Sequence, residues 1–445
     1  MNSVRWRAVI ARTAPAHVQR LVRWLESFQR CFGHRAQRLA LRTYVHGLFS
    51  DSDRKSMQAM LARVTQPVTY QAFQHFITHA TWNADRIWRR LLEVLPERRG
   101  VLIIDGTSFP KQGTHSVGVA RQYCGALGKI ANCQVAVTAA LWTGARAWVT
   151  GALLYLPKPW LADADRRLIA QVPTGVVFQE KWRQALTLIR RARAAGLEIT
   201  AVLADAEFGD VTAFRRALHR WRLPYAVGVS RHLTVFPGTP AVHVPPNAPT
   251  GRPRSQLVLT HDTRPIAVRA LALALPPRAW RRVTWRNGTN RPWAARFAAV
   301  RVTPAHDWRE RRLAPEVWLL CEQDLGATPR TKYFFVDLPA TASLKHLVRL
   351  AHQRWAIEQQ YQELKTELGL DHFEGRSYPG WQHHVVLTAL AYAFLQRERM
   401  RPGAPPLTFP AIHAIIQEIF TALLLAQQPD YFKRIQELQQ IDLRI

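Results

Sequence analysis

Two apolar segments that end on an aspartate constrain the fold of this chain most strongly. Residues 101–106 read VLIIDG, and residues 200–205 read TAVLAD. An unbroken run of aliphatic residues is typical of a strand that is buried on both faces, in a sheet covered by helices. Ligands bind at the carboxyl edge of such sheets. We therefore predict that Asp105 and Asp205 lie side by side, where their repulsion requires a cation between them.

The charge of the chain indicates a polyanionic partner. Its 445 residues include 61 Lys and Arg against 31 Asp and Glu, which gives a net charge of +30 at pH 7. Nucleic acid matches this excess better than a membrane surface does, because no amphipathic polybasic helix or lipidation motif is evident. A continuous apolar run of about 18 residues and a signal-peptide core are also lacking. We expect a cytoplasmic protein that does not enter a membrane.

Periodicity and composition divide the chain into five regions. Residues 1–95 read as Arg-rich helices and are expected to bind DNA. Residues 96–231 read as adjacent antiparallel strands followed by helix, strand, helix and strand, which is the order of the ribonuclease H-like fold. Residues 232–335 read as a β-rich insertion with 16 Lys and Arg against six Asp and Glu. Residues 336–400 complete the catalytic core, and residues 401–445 form a helical C-terminal segment.

The predicted fold class is therefore α/β, with a ribonuclease H-like mixed sheet, a mostly β insertion domain, and helical N- and C-terminal parts. A third carboxylate, Glu358, is expected to join Asp105 and Asp205 at the sheet edge. Three carboxylates can hold two Mg²⁺ ions about 4 Å apart, which activate a water and stabilise the leaving oxygen of a phosphodiester. Mg²⁺ prefers oxygen ligands, and Mn²⁺ can substitute for it.

The choice of Glu358 depends on the face of one predicted helix, from about residue 344 to 368. The spacing of Arg354, Glu358 and Lys365 places them on a single helical face. Glu363 and Glu367 are expected to point away from that face as solvated charges.

Taken together, these segments resemble the DDE transposases of bacterial insertion sequences, in the group with a Tyr-x2-Arg-x3-Glu-x6-Lys signature. Arg354, Glu358 and Lys365 match its last three positions, whereas Ala351 stands at the tyrosine position. The resemblance covers roughly residues 65–395. It includes the segments 104–111, 115–123, 204–210 and 369–377.

This resemblance implies a ribonuclease H-like core with a β insertion between the second Asp and the Glu. It also implies Mg²⁺-dependent cleavage at the terminal inverted repeats of a mobile element, followed by strand transfer into target DNA by a homodimer. Such a protein acts in the bacterial cytoplasm, at the nucleoid when it is bound to DNA.

Several basic and aromatic residues are candidates for DNA contact. Arg354 and Lys365 are expected to contact phosphates on the basis of the signature, although a helix-surface pairing with Glu is the alternative. Lys111 and Arg121 are candidates of the same kind, against a solvated face. Trp285 or Trp293, beside a predicted hairpin turn at Asn287-Gly288, is expected to stack on a displaced base, unless both rings are core.

Two further functions stay open. The first is a nuclease on the same fold that hydrolyses DNA without joining it. The second is a domesticated DNA-binding protein with a vestigial metal site. The presence of all three carboxylates argues against the second alternative.

Overall fold

The computed structural model describes residues 16–247, 249–260, 263–287, 292–326, 328–403 and 405–427. Its N-terminal part is helical, as the periodicity predicts. Three of the helices begin at a polar side chain, Ser56, Thr69 or Asn83, that accepts a hydrogen bond from a backbone N–H of the first turn. The N-terminal helices are α1 (Ala16–Glu26), α2 (Arg35–Leu48), α3 (Met57–Leu61), α4 (Tyr70–Thr78) and α5 (Ala84–Glu93).

A mixed sheet follows, with helices between its later strands. The first strands are β1 (Arg99–Pro110), β2 (Ala120–Cys124), β3 (Lys129–Trp142) and β4 (Ala147–Tyr155). Helices α6 (Lys158–Ala162), α7 (Ala164–Ile169) and α8 (Lys181–Ala194) lead to β5 (Glu198–Ala204), and α9 (Ala206–Gly209) and α10 (Thr212–Arg220) lead to β6 (Tyr225–Val229).

The pairing of these strands centres on β1. Strand β3 runs antiparallel to β1 and pairs antiparallel with β2 and β4. On the other side of β1, β5 runs parallel to it, and β6 runs parallel to β5. The aliphatic residues of β1 that precede Asp105 are all buried, as expected for a strand covered on both faces.

The β-rich segment extends this same sheet. Strand β14 pairs antiparallel with β6, and β13, β12 and β7 follow outward. The elements of the segment are β7 (Thr234–Pro237), β8 (Val242–His243), β9 (Val258–Leu259), β10 (Ile266–Ala267), α11 (Val268–Ala274), β11 (Arg281–Asn287), β12 (Pro292–Pro304), β13 (Val317–Gln323) and β14 (Thr331–Val336). The predicted turn at Asn287-Gly288 lies partly outside the described residues, because Asn287 is the last one before the gap at 288–291.

The last helices correct the prediction of one helix from 344 to 368. The chain forms α12 (Leu344–His352) and α13 (Trp355–Thr366), which are separated at Gln353 and Arg354. Here the Gln353 N–H donates to the carbonyl of Leu350, and the Ala356 N–H donates to that of Gln353, so the hydrogen bonds tighten to a three-residue spacing between the two helices. Two further helices follow, α14 (Tyr378–Arg399) and α15 (Phe409–Ala426).

The two faces of β1 pack against different helices. Leu102 and Ile104 belong to a core that includes the N-terminal helices and α14. Val101 and Ile103 belong to a second core with Leu347, Ile357 and other residues of α12 and α13. Because side chains alternate along a strand, Asp105 lies on the same face as Val101 and Ile103, towards α13.

Helix α15 is long and apolar enough to cross a membrane by length and composition, with a mean hydropathy of 1.6. We expected no long apolar run in the sequence. Helix α15 does not appear as such a run, because Glu418 and other polar residues interrupt it. The Phe409 ring stacks on Tyr392 of α14 with ring centroids 4.7 Å apart, and core helices of globular proteins have the same composition.

Candidate active site

Asp105 follows four buried aliphatic residues and lies within β1, which continues to Pro110. Its side chain is 11% exposed. One carboxylate oxygen accepts a hydrogen bond from the Gly106 N–H at 2.9 Å, and the other accepts from Arg354 at 2.9 Å. Burial raises the pKa of Asp105 to about 7, Arg354 opposes that shift, and the nearby charge of Asp205 adds to it.

Asp205 lies beside Asp105, as the strand pattern predicts. The parallel pairing aligns Ile103 with Leu203, and each aspartate lies two residues further on. Asp205 also caps α9, since its carboxylate accepts the Glu207 N–H at 3.0 Å. Burial raises the pKa of Asp205, while Arg354 opposes the shift.

Arg354 connects the aspartates to Glu358. Its guanidinium donates to Asp105 at 2.9 Å and to Glu358 at 2.6 Å, from its position at the break between α12 and α13. Burial disfavours the charged form, but Asp105, Glu358 and Asp205 together outweigh burial and raise the pKa of Arg354. Glu358 itself is 59% exposed. A permanently charged cation therefore lies between a buried carboxylate and an accessible one.

Tyr361 is a site residue that the sequence reasoning missed. It lies one turn after Glu358, and its hydroxyl is hydrogen-bonded to the hydroxyl of Thr138, the residue opposite Asp105 on β3. Burial, followed by the charge of Asp105, raises the pKa of Tyr361. Ala351, at the signature's tyrosine position, is buried in the core beneath α12. The signal that could have found Tyr361 is its position three residues after Glu358 on one helical face.

The predicted basic contacts differ in their surroundings. The Lys365 ammonium donates to the Ser108 carbonyl at 3.1 Å and lies 5.3 Å from the Phe109 ring centroid. The Lys111 ammonium donates to the Phe373 carbonyl at 2.6 Å, which joins β1 to the segment before α14. Burial lowers the pKa of both lysines. Arg121 is exposed on β2.

Glu363 and Glu367 do not face the site, but the prediction that they are solvated is wrong. Glu363 is buried and accepts hydrogen bonds from the Tyr392 hydroxyl at 2.7 Å and the Gln359 amide at 3.0 Å. Glu367 pairs with the His413 ring at 2.7 Å. The face of α13 opposite the site therefore packs on α14 and α15 instead of facing solvent.

Trp285 is packed rather than available for a displaced base. Its ring stacks on His352 at 3.9 Å between centroids and meets Phe297 edge-on at 5.5 Å. Trp293, in contrast, is 56% exposed. On the opposite strand, the Arg286 guanidinium lies 3.7 Å from the ring centroid of Trp355, the neighbour of Arg354 in sequence. The β-rich segment therefore reaches the edge of the site.

The oxygen ligands of the site suit a hard divalent cation. Within the part of the chain that the structure describes, no three His, Cys, Asp or Glu side chains are grouped closely enough to hold a metal ion. The Arg354 guanidinium lies between the carboxylates of Asp105 and Glu358 and binds both of them. Asp105 and Glu358 converge on this one cation, and Asp205 lies close enough to raise its pKa, so the oxygen ligands of the three side chains suit such a metal in their chemistry.

The fold and the site define an α/β protein with paired carboxylates at the edge of a central sheet. The profile of the DDE superfamily endonucleases matches residues 27–292, which is more than half of the chain, and the chain belongs to this family. The matched region contains Asp105 and Asp205 and ends before Glu358. The family predicted from the sequence is thereby confirmed.

Two further similarities are with individual proteins. Over 195 residues the chain is 31% identical to a protein of Microchaete diplosiphon described as a probable transposase for insertion sequence element IS701. That alignment spans 42% of this chain and 47% of the relative, so this chain covers about half of the relative's length. A cryo-EM structure of the piggyBac transposase synaptic complex with hairpin DNA aligns over 93% of this chain and 74% of its own, with 8% identity and a TM-score of 0.43.

Proposed function

We propose that this chain is a transposase that binds the terminal inverted repeats of a mobile element, cleaves the DNA there and joins the ends to target DNA. The observation that carries this proposal is the register of β1 and β5. It brings Asp105 and Asp205, from distant parts of the sequence, to one edge beside Arg354 and Glu358.

We infer that the catalytic core is ribonuclease H-like and spans residues 96–231 and 336–400, with 232–335 as a β insertion. The strand order supports this inference, since β4 pairs with β3, then β1, β5 and β6 follow, and of these five strands only β3 runs antiparallel to β1. The insertion adds strands at β6, the edge remote from β4.

In this proposal Asp105, Asp205 and Glu358 hold two Mg²⁺ ions, or Mn²⁺ in their place. The bound ions supply an activated water and charge stabilisation at the leaving oxygen. Every other contribution comes from the chain itself. Arg354 neutralises Asp105 and Glu358 before DNA arrives, and its planar guanidinium suits a bidentate contact with the scissile phosphate. Lys365 lies along the same helix to hold a neighbouring phosphate.

The remaining partners follow from charge and position. We infer that the helical N-terminal region, residues 1–95, contributes to recognition of the terminal repeats, and that two copies of the chain pair the two ends. In the C-terminal segment assigned to residues 401–445, the described helix α15 packs on α14 through Phe409 and Tyr392. The protein acts in the bacterial cytoplasm, at the nucleoid.

The test combines three conservative variants with a product assay. Asp105→Asn, Asp205→Asn and Glu358→Gln should each lower cleavage of labelled duplexes from the gene's flanking repeats by at least 100-fold, roughly the size of losing a transition-state contact. DNA binding should persist. Glu198→Gln, an exposed carboxylate on β5, is the matched control. Cleavage that survives EDTA, or that survives in any of the three variants, would contradict the metal assignment.

The products separate the alternative functions. Joined strands in a plasmid target support a transposase, whereas cut but unjoined ends support a nuclease without strand transfer. Binding without cleavage by the unmodified chain in both Mg²⁺ and Mn²⁺ supports a domesticated DNA-binding protein.

A further inference from the structure

The hairpin formed by β2 and β3 carries an exposed apolar pair that the site described above does not use. Tyr123 is 65% exposed and Ile130 is 62% exposed, and the two residues are directly opposite each other across the hairpin. Leu127, at the tip, is 48% exposed. Large apolar side chains grouped at the end of a projecting hairpin mark a contact surface.

The hairpin curls back onto the catalytic strand. Cys124 is opposite Lys129, which is six residues along β3 from Val135, the residue opposite Ser108. A straight strand would separate these two pairs by about 20 Å, at about 3.3 Å per residue, yet the Cys124 thiol reaches the Ser108 hydroxyl. Ser108 is about 10 Å beyond Asp105 along β1. Tyr123, the neighbour of Cys124, therefore lies close to this end of β1.

The hairpin is attached to the catalytic strand. The Ser108 hydroxyl, three residues after Asp105, accepts the Ala126 N–H at 3.0 Å and the Cys124 thiol at 3.4 Å. The Ser108 carbonyl accepts the Lys365 ammonium. Cys124, next to the turn, and Cys133, at the base of the hairpin, are both buried. These contacts hold the exposed pair at a defined distance from the carboxylates.

The charge around the hairpin selects the partner. The sequence contains no Asp or Glu between Asp105 and Asp163, whereas Arg121 and Lys129 flank the exposed pair and both are exposed. Two exposed cations beside an aromatic ring suit duplex DNA, in which phosphates pair with cations and apolar side chains contact sugars or bases.

Resting on the proposed function, we propose that the β2–β3 hairpin is a second DNA contact beside the site. Tyr123 and Ile130 lie against the duplex, and Arg121 and Lys129 bind its phosphates. The phosphates of one strand follow each other about every 3.4 Å along the duplex axis, and the offset between Asp105 and Ser108 along β1 is about 10 Å, or about three base pairs. The hairpin thus contacts DNA about three nucleotides from the phosphate that is cut, and it extends the footprint to one side.

The test measures binding against duplex length. Full-length protein is titrated with repeat-end duplexes that extend about one or about six nucleotides beyond the cut position on either side. The unmodified chain should bind the longer duplex at least tenfold more tightly on one side, with hydroxyl-radical protection about three nucleotides from the cut. Tyr123→Ala/Ile130→Ala should abolish both the length dependence and that protection.

The control is Leu168→Ala/Ile169→Ala, which removes two apolar residues that are 79% and 73% exposed elsewhere. It should keep the length dependence, and thermal melting of both double variants checks folding. Unchanged length dependence in the hairpin variant overturns the inference, as does a change in oligomeric mass, which would make the hairpin a protein interface. If the unmodified chain neither binds nor cuts any repeat-end duplex, the proposed function fails instead.

Discussion

Arg354 contacts two of the three carboxylates that we assign to the metal site, and this contact sets the charge balance there. Without it, a buried aspartate and its acidic neighbours would repel one another. The contact also explains why burial alone does not make Arg354 neutral, since three carboxylates raise its pKa. The guanidinium is therefore a resident cation whose removal has a measurable cost in the metal-free protein.

We expect Arg354→Gln to destabilise the metal-free protein and Asp105→Asn to relieve most of that loss. The two side chains are bonded at 2.9 Å, and both are largely shielded from solvent. Contacting charged residues show coupling free energies of about 0.5–3 kcal/mol. Urea unfolding of the two single variants and the double variant measures the coupling. Additive changes would show that the pair contributes nothing to stability.

Tyr361 shows what the sequence could not give at this scale. Its position on the face of Glu358 was available from the spacing, but its partner Thr138 comes from β3, more than 200 residues away. Ala351 occupies the signature's tyrosine position because that position faces the core. A motif gives the spacing along one helix, whereas the residue that fills a function depends on which neighbouring strand meets that helix.

At the scale of elements, the break between α12 and α13 decides which side chains reach the site. The prediction of one continuous helix placed Glu363 and Glu367 in solvent. Helical periodicity gives the angle of each side chain around the helix axis, but it does not say which elements cover each side of the helix. Helices α14 and α15 cover that side. The strands β1 and β5 were predicted well, since a short aliphatic run followed by an aspartate can form few structures other than a buried strand.

Helix α14 is held to its surroundings by His384, and we expect this residue to make stability depend on pH. Its ring accepts the Tyr44 hydroxyl at 2.7 Å and donates to the Leu370 carbonyl at 3.1 Å, so the neutral form is bound on both sides. Burial lowers the pKa of His384 to about 4, whereas the pKa of a histidine in the unfolded chain is near its ordinary value of 6.5.

The unfolded state therefore binds more protons between these two pKa values, and stability falls as the pH drops from 6.5 towards 4. His384→Gln should reduce the loss of unfolding free energy between pH 7 and pH 5 by about 2 kcal/mol. His115→Gln, on an exposed loop, should leave the loss unchanged. Equal pH slopes in the unmodified chain and in His384→Gln would contradict this assignment.

At the scale of the whole molecule, one sheet links regions that composition separates. The basic segment 232–335 differs in composition from its neighbours, yet β14 pairs directly with β6. The N-terminal helices also pack on α14, where His383 bonds the Ile77 and Trp82 carbonyls. The composition of a segment indicates what its surface contacts. It does not indicate which strands pair across a hundred residues, because strand pairing depends on backbone hydrogen bonds that any sequence can make.

The net charge of +30 leads to the last prediction, which concerns DNA binding by the complete chain. Each phosphate neutralised by Lys or Arg releases counterions and contributes about −0.9 to the slope of log K against log salt. Arg121→Ala and Lys129→Ala should each make the slope shallower by about 0.9. Arg99→Ala is the control, because Arg99 is exposed at the opposite end of β1, where it pairs with Glu198. Fluorescence anisotropy with one labelled repeat-end duplex, between 50 and 200 mM salt, gives all four slopes. A slope that stays unchanged in both hairpin variants, with the unmodified chain still binding, would place the phosphate contacts on another surface of the molecule.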